Sequence, residues 1–138
     1  MAWIKPLPGN DGMTDILSKG DFIALQTSNN QSLSWFAGGW GRGSCSAKVP
    51  ANWLNHWHHV AGTANGKILT LVIDGVQQAK VILTTGANLS TTANWLIGRN
   101  EEFPDQRFFN GIINHFKIFV EPLSIEEIKA QMKLNQEE

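Results

Sequence analysis

The chain has 138 residues, 42% of them hydrophobic, and its 11 basic and 12 acidic side chains leave a net charge of −1. That length suits one domain with one core. The charge balance offers no attraction to a polyanion such as nucleic acid, and no run approaches the roughly 20 apolar residues that insert into a membrane.

Residues 2–5 read as a short strand broken by Pro6, followed by a loop over 7–12 rich in Pro, Gly, Asn and Asp. Strand character resumes at Asp15. Ile16–Ser18 and Phe22–Gln26 flank a Lys19-Gly20-Asp21 turn, and a polar turn over 28–31 precedes a strand at Leu33–Ala37. The piece 38–46 holds four glycines around Trp40 and Arg42, which predicts a flexible or bulged surface loop. A further strand is expected over Ala47–Val49, ending at Pro50.

Trp57–Gly75, WHHVAGTANGKILTLVIDG, carries the clearest pattern. Asn65-Gly66 and Asp74-Gly75 supply the positive φ angles of tight hairpin turns, so three successive antiparallel strands are predicted. Leu69, Leu71 and Ile73 fall on one face of the middle strand and Ile68, Thr70 and Val72 on the other, as in a strand inside a sheet. A strand over 76–83, a polar connection over 84–93, a short strand Trp95–Ile97 stopped by Gly98, and a last strand Ile112–Val120 complete the meander. Ser124 followed by Glu127 is a capping box, and Ile125, Ile128 and Met132 are spaced for one helical face. The expected fold is all-β: a two-sheet antiparallel sandwich of jelly-roll type over a single domain, 1–138, with one C-terminal α-helix.

The pattern at Trp57, His59, Val60, Ala61, Gly62, Thr63, Asp74 and Gly75 resembles the laminin-G-like, concanavalin-A-like jelly-roll domains. So do AWIKP at 2–6, ILSKGD at 16–21, LIGRN at 96–100, and the final block 109–128 with Phe109, Gly111, Leu123, Ser124, Glu126 and Glu127. Many domains of this kind are non-catalytic carbohydrate-binding or adhesion modules, accessories to larger secreted or surface proteins. An oligosaccharide or polysaccharide is the partner this resemblance implies. Although the start, MAWIKPLPGNDG, has no export signal, a module of a longer chain would then lie outside the cell or on its surface. Family members usually begin with another strand or two ahead of AWIKP, so the chain reads as shortened at its N-terminus or as a piece of a larger protein. An open sheet edge follows, and with it a second expectation: a protein-interaction domain, or a homodimer, pairing through that edge.

Glycoside hydrolysis needs two carboxylates roughly 5 to 9.5 Å apart across a groove, and no strand here alternates acidic residues. Glu101, Glu102 and Asp105 fall in a loop after Gly98, and Glu126, Glu127, Glu137 and Glu138 in the terminal helix or tail. With no Gly-x-Ser-x-Gly elbow and no sign of activation at the lone Cys45, which also rules out an internal disulfide, the chain reads as a non-enzyme. His56, His58 and His59 suggest zinc but lack the further ligands a zinc site takes, so structural histidines are expected.

The loop NEEFPD resembles the acidic calcium loop of pentraxins. Asn100, Glu101, Glu102 and Asp105, with Asn10 and Asp11 from the first loop, are the candidate ligands; the alternative is a solvated acidic loop. The sequence holds six Trp and seven Phe but no Tyr. Trp40, with Arg42 beside it, either stacks on a sugar face or folds back as a lid over the sheet, and Trp53 is a second ligand candidate. Trp3, Trp57 and Trp95 lie in strand patterns and are expected in the core, while Trp35 suits either side.

Overall fold

The computed structural model describes residues 1–83 and 89–136; Thr84 to Asn88 of the polar connection, and Glu137 and Glu138, lie outside the described residues. The strands are β1 (Ala2–Pro6), β2 (Met13–Lys19), β3 (Ile23–Ser28), β4 (Ser32–Ala37), β5 (Cys45–Lys48), β6 (His58–Ala64), β7 (Ile68–Ile73), β8 (Val76–Ile82), β9 (Trp95–Ile97) and β10 (Gly111–Asn114), and α1 is Ile125–Leu134. They form two five-stranded antiparallel sheets, β10-β1-β6-β7-β8 and β5-β4-β3-β2-β9. The sandwich with one closing helix is therefore the fold that the alternating pattern and turn signals lead one to expect.

Register explains which residues are inside. Pairing Val60 with Ile73, Gly62 with Leu71 and Ala64 with Leu69 puts those residues on one face of the first sheet. Pairing Ile23 with Ala37, Leu25 with Trp35 and Thr27 with Leu33 does the same in the second, and the two faces bury the main core between them. A bulge in β2 between Asp15 and Leu17 lets the sequence neighbours Ile16 and Leu17 both be buried. The other face of the first sheet is covered by α1: Ile128 packs on Ala61 and Val72, with Met1, Leu123 and Ile125 around it. Ser124 and Glu127 cap the helix reciprocally.

Trp35 joins the sheets. Its indole lies against the bare backbone of Gly62, where a Cβ would overlap the ring, and its Nε1 donates to Thr63 O at 2.9 Å. One strand over, the buried Cys45 Sγ donates to Leu69 O at 3.1 Å, and burial pushes the thiol pKa up.

The adjacent histidines of HWHH are structural and differ in charge. His58 Nδ1 lies 2.8 Å from Asp74 Oδ2 and its Nε2 3.0 Å from Asn52 O, two acceptors that call for an imidazolium. Burial works against that charge, but the Asp74 hydrogen bond, the Asn52 carbonyl and the Asp74 charge outweigh it and raise the pKa. Asp74, held at φ 51°, also accepts from His59 N at 2.8 Å. His59 packs edge-on against Trp3 and is pushed down to about 4, chiefly by burial, so its ring is neutral.

Three sequence expectations are corrected. The last strand stops at Asn114 instead of Val120: Asn114 Oδ1 accepts from His115 N and His115 takes φ 47°, which breaks the ladder. Pairing resumes once, with Met1 and Lys117 exchanging both backbone bonds at 2.9 Å. Beyond Gly38, a 3-10 turn covers Trp40–Arg42 and β5 begins at Cys45, two residues before the expected strand. Trp95 sits on edge strand β9 and is 39% exposed, so it is not a core residue.

Gly62→Ala should cost about 3 kcal/mol or more of stability, because neither the Trp35 ring nor the β6 backbone can yield; denaturant titration checks it. Because the folded pKa of His58 is raised, its pairing stabilises fully below the unfolded value of 6.5 and fades as pH rises through the folded value. The melting-temperature gap between wild type and Asp74→Asn should narrow from about pH 5.5 to about pH 9.

Candidate functional site

Two loops that stand far apart in sequence meet around the β2–β3 turn, residues 20–22. On one side, Gly38 N and Gly39 N donate to Phe22 O at 3.0 and 2.8 Å, which seats the Trp40–Arg42 turn. Gly38, Gly39 and Gly43 all take positive φ, and these flanking residues carry no side chain to shield the indole. Trp40 is 67% exposed and does not fold back over the sheet. On the other side, Asn100 Nδ2 donates to Gly20 O at 3.1 Å and Arg107 Nη1 to Asp21 Oδ1 at 3.0 Å. The Arg107 guanidinium lies 3.5 Å from the Phe103 ring centroid, a cation–π contact that fixes the loop. Gly20 has φ +57°, and a Cβ there would meet Glu102 and Ala93. The rim thus presents an exposed indole and the exposed Arg42 on one loop, bonded to the turn that carries the partly exposed Asp21.

Beneath the second loop lies Asp15. Its N donates to Arg107 O, and the chain from Gly98 to Phe108 is stitched along β2 through Gly98 N to Ile16 O and Ser18 Oγ to Arg99 O. The Asp15 carboxyl is fully buried, and neither oxygen makes a well-formed hydrogen bond. Its cross-strand neighbour Gln26 leaves a buried Oε1 equally bare. Burial pushes Asp15 up to about 6 against the opposing pull of the Asn100 amide and the Arg107 charge, with Asp21 adding to the rise.

The other expected site residues lie elsewhere. Trp53 is 2% exposed, stacked on His58 at 5.0 Å with its Nε1 given to Asn30 Oδ1, so its ring is not offered to solvent. It packs at the β3–β4 turn, the opposite end of β4 from Trp40. Asn10 is buried at that same far end, where its amide donates to Leu7 O and Asn110 O and accepts from Asn110 N. Asn100 is spent on Gly20 O and Glu102 N, and Glu101 on the Asn94 backbone and side chain. Asp11 and Asp105 are exposed. With both amides committed to separate turns, this set does not fit one calcium ion, and among the described residues no three His, Cys, Asp or Glu side chains gather as a metal site. Neither the Arg107–Asp21 pair, 86 residues apart, nor the burial of Asp15 has any local sequence signal.

The family profile described as the concanavalin A-like lectin/glucanases superfamily matches residues 1–129. The chain belongs to that superfamily. No curated protein sequence matches it significantly. Among solved structures, a candidate carbohydrate-binding protein from Bacteroides ovatus is 16% identical with a TM-score of 0.74, over 93% of this chain and 38% of its own. The CBM40 domain of a Ruminococcus gnavus sialidase, solved with α2,3-sialyllactose, is 17% identical with a TM-score of 0.63, over 94% and 78%. Domain 4 of the arabinanase AbnA from Geobacillus stearothermophilus, solved with arabinotriose, is 20% identical with a TM-score of 0.60, over 94% and 63%. At these identities the likeness is one of fold, and the chain spans well under half of the Bacteroides protein.

Because burial raises the Asp15 pKa, the fold loses stability as pH climbs from the unfolded value of 3.8 to about 6 and the penalty is then constant, whereas below 3.8 the carboxyl is neutral in both states. Asp15→Asn, whose amide can also donate to Gln26, should stabilise by roughly 2–3 kcal/mol near pH 8 and by little below about pH 4. Denaturant titrations at the two pH values measure the difference.

Proposed function

We propose that this domain is a non-catalytic carbohydrate-binding module, acting as an accessory within a larger secreted or surface protein. The observation that carries the reading is Trp40: an indole 67% exposed, mounted on a hydrogen-bonded glycine turn. An aromatic ring exposed this way can stack on the C–H face of a pyranose or furanose, and polar groups at its rim then choose among hydroxyl patterns. Arg42 offers donors and Asp21 acceptors beside it. The sialyllactose and arabinotriose in the structures cited above are bound by those proteins; they support an oligosaccharide as the ligand class here.

The carboxylates near Trp40 support the non-catalytic reading. Asp21 is paired with Arg107, Glu101 is held by Asn94 and Asp15 is buried, which among the described residues leaves the exposed Glu102 beside Gly20 without a second such carboxylate facing it. A hydrolase needs one carboxyl acid and one free carboxylate facing each other across the sugar.

A glycan array, run with and without calcium, tests the proposal. Binding to at least one oligosaccharide class is expected, and Trp40→Ala should abolish it while leaving the melting temperature nearly unchanged. Undiminished binding by Trp40→Ala, or turnover of a bound glycan, would overturn the reading. Loss of signal in chelator would restore calcium to the site, bound by a different ligand set from the one the sequence suggests.

A further inference from the structure

The segment after β10 forms an edge of the first sheet with an unusual make-up. Lys117 is bonded through its backbone to Met1 on one side, and among the described residues no backbone partner lies on its other side. Ile118 and Phe119 are 46% and 40% exposed, and Val120 is fully so. Next to this edge a cavity of about 250 Å³ opens between the sheets, lined by Leu17, Leu25, Trp35, Ala64 and Trp95 as well as by the segment itself. An apolar open edge beside an apolar cavity is a template for strand pairing.

Residues 117–121 read Lys-Ile-Phe-Val-Glu. An antiparallel pair of two such segments centred on Phe119 sets Lys117 opposite Glu121, Ile118 opposite Val120 and Phe119 opposite itself. Unlike charges meet at both ends and apolar side chains in between, so this sequence is complementary to its own copy.

We propose that 117–121 is a homodimer interface, pairing antiparallel with the same segment of a second copy about Phe119. The segment has no regular secondary structure of its own through Phe119 and bends at Val120 and Glu121; pairing makes it a strand. Lys117 lies on the α1 side, where its Nζ donates to Gln131 Oε1 and Asn135 Oδ1. Those are neutral acceptors, so among the described residues the ammonium has no acidic partner, and Glu121 of the partner subunit would supply its counter-charge. Strand alternation puts Ile118 and Val120 on the other side, toward the cavity, where the partner's Val120 adds apolar cover. The segment shares no residue with the Trp40 rim, although Lys19, Ile23 and Ala37, which adjoin that rim, also line the cavity.

Sedimentation velocity from micromolar to millimolar protein tests it. The wild type should dimerise reversibly. Glu121→Lys and Lys117→Glu, each placing like charges opposite one another twice, should weaken the dimer about tenfold or more, and the double exchange should restore it. If Lys117→Glu does not fold, Glu121→Lys and Val120→Lys, both at exposed positions, decide the matter by the same measurement. A wild type monomeric throughout would overturn the proposal, as would a dimer indifferent to Glu121→Lys or Val120→Lys. So would a double exchange that stays monomeric although both single variants fold.

Discussion

The contact between the Trp35 ring and the backbone of Gly62 ties the two sheets together. An indole laid on a strand with no Cβ packs directly against its backbone, and its N–H reaches Thr63 O. The core packs around this contact: Leu33, Leu25, Leu69 and Leu71 are buried between the sheets, and Cys45 donates to Leu69 O across them. Toward the Lys117 edge, where Trp35 no longer fills the gap, the interior opens into the cavity between the sheets.

The two ends of the sandwich are held by different chemistry. At the Trp53 end, buried amides and an ion-paired histidine lock the connections: Asn10, Asn30 and His58 leave few polar atoms bare and expose little aromatic surface. At the Trp40 end, a glycine turn and an arginine strap position two loops without covering them. Rigid support beneath exposed aromatic surface is what a binding rim requires, since a floppy platform would lose on ordering what it gained on contact. The unsatisfied Asp15 and Gln26 pair near the middle of β2 and β3, beneath the loop that carries Arg107.

Period and turn chemistry made most of the scaffold legible. The alternation of Leu69, Leu71 and Ile73, the Asn65-Gly66 and Asp74-Gly75 turns and the Ser124–Glu127 box act within a few residues of chain, so local rules find them. The last strand was misjudged because alternation continues through Phe116, Ile118 and Val120 after the backbone has broken at His115; hydrophobic pattern does not report a single positive φ. Trp53 and Trp95 changed places for a related reason. A loop tryptophan is buried when a distant partner such as His58 awaits it, and a strand tryptophan is exposed when its strand lies at an edge. Of the candidate rim, the glycines around Trp40 were readable, but its juxtaposition with Arg107 and Asp21 was not, because only tertiary structure brings 38–43, 20–22 and 99–107 together.

Cys45 gives the fold a property of a different kind. Its thiol is enclosed, donates to Leu69 O and is held protonated by burial, so an alkylating reagent in solution meets neither an accessible sulfur nor a thiolate. Reaction requires β5, an edge strand, to part from Leu69 on the opposing sheet. The rate of labelling at this one atom therefore measures how often this edge of the sandwich opens, without any probe having to be introduced.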